Sequence, residues 1–335
     1  MRALVLHGPG DYRVEDDWPD PEPQPGWARV RVRYAGVCGS DLPRFARTGS
    51  YRHPMILGHE FSGEVETPAP DSARSQQGDR VAVLPIIPCG ACEGCRRWGP
   101  FHCRAYQFLG SRNDGGFAEL ALVPEANLLS LPEDLDLRLG ALVEPLAVGL
   151  HTVRRARVRA GERAAVFGAG PIGLFAAAWL HVFGAQTTVI DPREDRRALA
   201  RAVGFETVFA PDDEVLQEAG PFAHAIEAAG AAAALARAVD LVCDCAAITV
   251  IGRDPGDTVL AHETWERLLR KELTVRGCWG YDLREDTETL RGFLARAPIA
   301  LEALITHEVP LDEAKETIDR MIDGTLAYGK VLIRL

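Results

Sequence analysis

Residues 36–60 bring together side chains that bind metals, among them Cys38, His59 and Glu60. A thiolate, an imidazole and carboxylates form a borderline-soft ligand set that suits Zn²⁺. We predict Glu144, in LVEPLAVGLH, as the third ligand, because a catalytic zinc needs three protein ligands and one open position. Cys38 and His59 lie far apart in the sequence, so only a fold can bring them together. The alternative is a buried cysteine and an ordinary turn histidine.

Four further cysteines lie within residues 89–103, in PCGACEGCRRWGPFHC. Their spacing, C-x2-C-x2-C-x7-C, lets successive sulfurs point at one ion from a tight loop. Four thiolates close a tetrahedral shell and leave no open position, so the pattern predicts a structural zinc. Free thiols or disulfides are the alternative. The predicted ligands are Cys89, Cys92, Cys95 and Cys103, with His102 as the nearest competing ligand.

A glycine-rich turn follows in ERAAVFGAGPIG, between a strand pattern and an Ala-rich helix pattern. The motif G-x-G-x-x-G allows a tight turn, close approach of the backbone to a pyrophosphate, and packing of helix on strand. About 20 positions later Asp191 ends the strand pattern TTVID, where a carboxylate binds the ribose hydroxyls of NAD and repels the 2′-phosphate of NADP. Arg193 and Arg196 leave NADP as the alternative. The predicted cofactor-binding residues are Gly168, Gly170, Pro171, Ile172, Gly173, Asp191 and Arg196.

The pattern of apolar residues divides the chain. Short strand patterns with Gly/Pro punctuation, such as ARVRVRYAGV, predict a β-barrel-like domain over 1–145, with the cysteine lobe at 89–103. Alternating strand and helix patterns then predict an α/β domain with a doubly wound parallel sheet over 146–285. Residues 286–335 are predicted to return to the first domain through the strand KVLIRL. Three cysteines in apolar, strand-like stretches are predicted core residues: Cys243, Cys245 and Cys278.

Composition excludes several classes of protein. The net charge of −11 argues against nucleic acid or an anionic membrane as the main partner. The apolar fraction of 47% and charged fraction of 25% are typical of a soluble globular chain. The apolar segment 171–185 contains His181 and follows the glycine turn, which indicates a buried helix rather than a membrane span. No export signal is visible, so we expect a cytoplasmic protein.

Together these motifs resemble the zinc-containing medium-chain dehydrogenase/reductase family over the whole chain. The resemblance is carried by CGSD, GHEFSG, the four-cysteine lobe, GAGPIG and the terminal strand. Within the family the polyol branch is the most similar, in HPMILGHEFSG, FLGSRNDGGFAE and EPLAVGLH. The resemblance implies a GroES-like catalytic domain and a Rossmann NAD-binding domain. It also implies oxidation of a secondary alcohol on a polyol or polyol phosphate to a ketone, and a homodimer or homotetramer.

The resemblance assigns roles to individual residues. Ser40 matches the hydroxyl that receives the alcohol proton, and Asp41 matches a carboxylate that orients the histidine ligand. Pro43 stands where many relatives carry a histidine, so the outer part of the proton relay must use the ribose, water or another group. The implied ligands of the catalytic zinc are Cys38, His59 and Glu144, with Glu60 adjacent as an exchanging ligand.

Two other functions stay open: a cyclitol or aminocyclitol dehydrogenase with the same site, and a non-catalytic nucleotide-binding relative. The second should lack some of the zinc ligands. At the far end of the substrate, Arg44 and Arg112 lie within the matched motifs, and arginine is well suited to hold a phosphate. Arg47 and Arg52 lie in the same segment as Arg44, and the alternative for all four arginines is that they are solvated surface charges.

Overall fold

A computed structural model describes residues 1–72, 74–253, 256–282, 284, 286–296 and 298–335. Within them the chain forms eighteen strands and ten α-helices. The strands are β1 (Ala3–Gly8), β2 (Asp11–Glu15), β3 (Trp27–Gly36), β4 (Met55–Ile56), β5 (Glu60–Thr67), β6 (Arg80–Val83), β7 (Ile86–Ile87), β8 (Gln107–Phe108), β9 (Leu120–Pro124), β10 (Leu128–Ser130), β11 (Arg163–Phe167), β12 (Gln186–Ile190), β13 (Val208–Phe209), β14 (Phe222–Glu227), β15 (Val242–Val250), β16 (Thr274–Gly277), β17 (Ile305–Pro310) and β18 (Lys330–Arg334). The helices are α1 (Glu93–Arg97), α2 (Leu137–Gly140), α3 (Val143–Ala156), α4 (Pro171–Val182), α5 (Glu194–Val203), α6 (Leu216–Ala219), α7 (Ala232–Leu241), α8 (His262–Arg270), α9 (Thr287–Arg296) and α10 (Ala314–Ile322).

The first of two compact units contains residues 1–144 and 305–335. Its main sheet has the strand order β10-β6-β5-β3-β18-β17, with β9 also paired to β3, and a smaller sheet has the order β2-β1-β4. Strand β3 buries Ala28, Val30 and Val32 and turns its arginines outward, as its period of two predicts. This unit is the GroES-like domain that the sequence predicts.

The second unit, residues 145–304, is a parallel sheet with helices. Its strand order is β13-β12-β11-β14-β15-β16, the doubly wound order in which two βαβαβ halves meet at β11 and β14. The prediction of a Rossmann domain is confirmed. Helix α4 is buried at every position from Gly173 to Leu180. No helix in the described part of the chain is long and apolar enough to cross a membrane.

Two details of the second unit differ from expectation. Cys245 is exposed, so the prediction that it is a core residue is wrong; Cys243 is half-buried and packs against the apolar core, and Cys278 is buried. The pairing of β14 with β15 shifts register between Phe222 and His224, and the extra residues leave Cys245 at φ 59°. A bulge of this kind re-aims side chains away from the core.

The chain re-enters the first unit at Ile305 rather than at residue 286. Helix α9 belongs to the second unit, where the Phe293 ring lies 4.5 Å from the Trp179 ring. A helical pattern alone does not show which core the helix will cover, so the sequence could not locate this boundary.

Candidate active site

The candidate metal site lies where three strands of the first unit meet. Strand β3 pairs antiparallel with β5 on one side and with β18 on the other. Gly36, the last residue of β3, is opposite Glu60 in one neighbour and Leu332 in the other. Because both neighbours run antiparallel to β3, its end meets their beginnings. Cys38 follows β3, His59 immediately precedes β5, and Lys330 begins β18.

Three of the predicted residues converge there. Cys38 Sγ, a ring nitrogen of His59 and a carboxylate oxygen of Glu60 all lie within 4.8 Å of one another. His59 and Glu60 are buried and Cys38 is half-buried. Thiolate, imidazole and carboxylate are the donors that zinc takes in sites with an open position, so this set fits a catalytic zinc.

Glu144, which the sequence favours as the third ligand, lies outside this three-residue group. It is buried in the first turn of α3. Burial raises the pKa of Glu144 to about 7, with His59 opposing this shift and the Glu60 carboxylate adding to it. The charges of His59 and Glu60 therefore influence the pKa of Glu144. The carboxylate that lies within 4.8 Å of the Cys38 and His59 donor atoms is that of Glu60.

Asp41 supports the two other members of the group. Its fully buried carboxylate lies 3.3 Å from His59 Nδ1 through Oδ1 and accepts the Cys38 backbone N–H at 3.2 Å through Oδ2. Burial alone would lower the pKa of His59, but the charges of Asp41 and Cys38 raise it well above its usual value. The exposed Ser40 hydroxyl donates to Cys38 Sγ at 3.3 Å. Asp41 and Ser40 therefore both contact Cys38, and Asp41 also lies beside His59.

Lys330 is a candidate that the motifs do not indicate. Its Nζ forms an ion pair with Glu60 Oε2, and the two side chains are 4% and 1% exposed. A Cβ at Gly36 would lie 2.5 Å from Glu60 Oε2 and 3.4 Å from Lys330 Cε, so only glycine leaves room for the pair. Burial would lower the pKa of Lys330, but the charges of Glu60 and Cys38 raise it. The one signal in the sequence is that this chain has only three lysines.

The four cysteines of the 89–103 lobe lie together in the structure. The sulfurs of the group lie within 4.8 Å of one another, and they belong to Cys89, Cys92, Cys95 and Cys103. Helix α1 begins after Cys92, whose sulfur accepts the Cys95 backbone N–H at 3.5 Å. Backbone N–H groups, that of Cys95 first, lower the pKa of the Cys92 thiol to about 6. Four thiols whose sulfurs lie close enough to share one ion fit a structural zinc, and His102 is outside the group.

In the second unit the glycine-rich turn joins β11 to α4. Gly168 has φ 103°, and a Cβ at Gly173 would lie 1.9 Å from Gly168 O, so both positions require glycine. Asp191 follows β12 and is buried; its Oδ2 accepts the Ala169 backbone N–H at 2.8 Å. The Arg193 guanidinium pairs with the neighbouring Asp195 carboxylate. The acidic side chain therefore lies against the loop whose geometry suits a pyrophosphate.

Comparison with known proteins gives consistent matches. Residues 24–133 match the alcohol dehydrogenase GroES-like domain, and residues 171–296 match the zinc-binding dehydrogenase domain. Galactitol 1-phosphate 5-dehydrogenase of Escherichia coli (strain K12) is 33% identical over 99% of each chain. L-threonine 3-dehydrogenase of Sinorhizobium medicae is 30% identical over 99% of this chain and 98% of its own. The crystal structure of galactitol-1-phosphate dehydrogenase from Escherichia coli superposes with a TM-score of 0.92 at 32% identity, covering 100% of both chains.

The two cysteine-containing sites predict two zinc ions of different lability. The Cys89–Cys103 lobe is a closed shell, whereas the Cys38 site has an open position through which a chelator can attack. We expect a chelator to remove the zinc at Cys38 first and to leave the fold intact. Cys38→Ser should keep one zinc and near-normal thermal unfolding. Cys95→Ser should destabilise the lobe, because structural zinc contributes directly to folding.

Metal analysis of each variant, with circular dichroism during chelation, measures both effects. Cys243→Ser, outside both groups, is the matched control and should keep both zinc ions. One zinc or none in freshly purified wild-type protein contradicts this expectation.

Proposed function

This chain belongs to the zinc-containing medium-chain alcohol dehydrogenase family, and on that premise we propose that it oxidises a secondary alcohol of a polyol or polyol phosphate to a ketone. Zinc and a nicotinamide dinucleotide are its cofactors. The observation that carries the proposal is the group of Cys38, His59 and Glu60, in which a thiol, an imidazole and a carboxylate, donors that suit a catalytic zinc, lie within 4.8 Å of one another. A non-catalytic relative would have no need to keep that group.

The residues around the group each have a task in this reaction. The group of Cys38, His59 and Glu60 would hold a zinc ion, which would supply Lewis acidity to lower the pKa of the substrate hydroxyl. Ser40 accepts the alcohol proton and passes it outward; support comes from its exposed hydroxyl beside Cys38. Asp41 holds the His59 ring in one orientation through Nδ1. Pro43 cannot extend the relay, so the proton leaves through water or the cofactor ribose.

We propose NAD as the hydride acceptor in preference to NADP. The support is the Asp191 carboxylate beside the glycine loop, where it would bind both ribose hydroxyls and repel a 2′-phosphate. Arg193 is paired with Asp195, which reduces its capacity to hold a phosphate. Arg197 donates to the backbone oxygen of Asp191 and fixes the carboxylate's position instead.

Replacing Asp191 tests the cofactor preference. Asp191→Ala should raise the KM for NAD by about 10- to 150-fold, because a charged hydrogen bond contributes roughly 1.5–3 kcal/mol. The difference between the KM values for NAD and NADP should become smaller. Asp195→Ala removes the carboxylate that forms an ion pair with Arg193. It should lower the KM for NADP and leave the KM for NAD unchanged. Initial rates with both cofactors give the answer. A wild type that uses NADP equally well rejects the proposal.

The far end of the substrate is proposed to bear a phosphate that Arg112 holds. The Arg112 guanidinium carbon lies 4.1 Å from the Tyr51 ring centroid and 4.5 Å from that of Tyr106. Among the described residues, no carboxylate lies within 4.0 Å of this guanidinium, whereas Arg52 pairs with Asp114. An aromatic clamp without an acidic partner leaves the guanidinium donors available to an anion.

The loop that carries Arg112 is packed against the metal site. The Phe108 ring lies 5.6 Å from the His59 ring. A Cβ at Gly110 would lie 2.4 Å from Gly58 O, so backbone meets backbone there. Arg44 also lies over the Tyr51 ring, at 5.7 Å. These contacts support a substrate whose alcohol is at the zinc and whose charged end is at Arg112.

Arg112→Ala should lower kcat/KM for a polyol phosphate by about 10- to 150-fold, since one charged contact contributes roughly 1.5–3 kcal/mol. The same change should have little effect on the unphosphorylated polyol. Arg52→Ala is the matched control, because Arg52 is already paired. NADH formation with both substrates measures the difference. Equal losses would mean that Arg112 only supports the loop, and a wild type that prefers the uncharged substrate would favour a free polyol or cyclitol.

We also propose a homo-oligomer that uses one face of the second unit. Strand β16 is the edge of the parallel sheet, and among the described residues only β15 pairs with it. Four large apolar side chains are exposed on or near this edge and on α8: Trp265, Leu269, Val275 and Trp279. Exposed apolar surface beside an open sheet edge is typical of a protein interface.

Light scattering should give the mass of at least a dimer. Val275→Asp should shift that mass toward the monomer, because it puts a charge into the edge, while Val259→Asp, at another exposed valine, should not. A monomeric wild type rejects the proposed assembly.

A further inference from the structure

The reaction proposed above does not use the buried carboxylate that ends β14. Glu227 is the last residue of that strand and is 2% exposed. Its Oε1 accepts three backbone N–H groups of the following turn, those of Ala229 at 2.9 Å, Gly230 at 2.7 Å and Ala231 at 3.4 Å. Hydrogen bonds from backbone N–H groups favour the charged form of a carboxylate. Glu227 therefore brings a negative charge into the interior of the second unit.

Three turns of the second unit meet around this carboxylate. The backbone oxygen of Glu227 accepts the N–H groups of Ile251 and Gly252, both at 2.9 Å, just after β15. A Cβ at Gly252 would lie 2.5 Å from Glu227 Oε2, so only glycine leaves room for the carboxylate. A Cβ at Gly168, in the turn after β11, would lie 2.8 Å from Ala229 N. The turns after β11, β14 and β15 are therefore packed closely against one another.

These turns lie where a dinucleotide crosses the sheet. The strand order β13-β12-β11-β14-β15-β16 reverses direction between β11 and β14, and a dinucleotide binds outside the carboxyl ends of the strands at such a point. Asp191, the residue proposed to bind the adenosine ribose, follows β12 on one side of this point. The turns after β14 and β15 lie on the other side. They therefore face the nicotinamide half of the cofactor.

We propose that Glu227 is a positioning residue for the nicotinamide end of the cofactor: its carboxylate fixes the turn of residues 228–231, and its charge favours the oxidised ring over the reduced one. The inference rests on the nicotinamide dinucleotide of the proposed function. The oxidised ring carries a positive charge, which the arriving hydride neutralises. A fixed negative charge nearby therefore stabilises bound NAD⁺ more than bound NADH. Glu227 thus favours the cofactor form that accepts a hydride from an alcohol.

Glu227→Gln separates the charge of this side chain from its hydrogen bonds, because the amide keeps an oxygen acceptor for the turn. The Kd for NAD⁺ should rise by about 3- to 10-fold relative to the Kd for NADH, since one fixed charge is lost from the interior. ADP-ribose has the pyrophosphate and the adenosine ribose but lacks the nicotinamide ring, so its Kd should stay unchanged. Calorimetric titration of the zinc-loaded protein with each of the three ligands measures these constants without turnover.

Two further variants control for position and for the loss of a carboxylate elsewhere. Glu162→Gln is the matched control, because Glu162 lies at the opposite edge of the same sheet, where its carboxylate is 2.9 Å from His224 Nε2. It should keep the wild-type ratio of the Kd values for NAD⁺ and NADH. Glu227→Asp keeps the charge but shortens the side chain, which loosens the turn. It should weaken NAD⁺ and NADH by the same factor.

The outcomes distinguish this inference from the proposed function. Equal weakening of NAD⁺ and NADH by Glu227→Gln would mean that Glu227 only supports the turn, which overturns the inference and leaves the proposed function intact. If Glu227→Gln does not fold, Glu227→Asp decides the question: a change of about threefold or more in its ratio of Kd values would show that the preference does not follow the charge. A wild type that binds neither NAD⁺ nor NADH overturns both.

Discussion

The first unit depends on the pairing of β3 with antiparallel neighbours on both sides. That arrangement puts the end of one strand beside the beginnings of two others, and each contributes a polar residue at the same level of the sheet. Gly36 is the point of contact, because any side chain there would collide with the Glu60 carboxylate. A shift of one residue in either pairing would turn Glu60 or Lys330 to the opposite face. The apolar core beneath the sheet, which includes Val30 and Val32, fixes the register by burying alternate residues.

The pocket contains more acidic than basic side chains. The carboxylates of Asp41, Glu60 and Glu144 and the Cys38 thiol lie around one lysine and one histidine, and all three carboxylates are buried. Buried anions are costly unless they are paired or bind a metal. Burial accordingly raises the pKa of Glu144, and the charge of His59 is the largest influence against that shift. A divalent cation bound in this pocket would favour the ionised forms of the thiol and the carboxylates, so these electrostatics favour metal binding.

How far the sequence could predict this structure depended on the distance between interacting residues. The glycine turn before α4 and the four-cysteine lobe are each formed by residues close together in the sequence, so the residue spacing alone indicated both structures. The alternating strand and helix patterns after Glu144 correctly predicted the parallel sheet. Lys330 could not be found, because nothing near KVLIRL shows that β18 will pair with β3. The sequence also leaves open whether Glu60 or Glu144 is the zinc ligand, because both carboxylates lie within the matched motifs. Cys245 was misjudged because a register shift is invisible in a run of apolar residues.

The first unit is formed by two separate segments of the chain, so its two parts are synthesised at different times. A ribosome delivers the cysteines of the 89–103 lobe as one local segment, so that lobe can acquire its metal while translation continues. The pocket at Cys38 is different, because β17 and β18 emerge only after all of residues 145–304 have been made. Until then the last residues of β3, Tyr34 to Gly36, lack their β18 partner, and Glu60 has no ammonium beside it. The pocket at Cys38 is therefore complete only after the whole second unit has been made, whereas the cysteine lobe is complete much earlier.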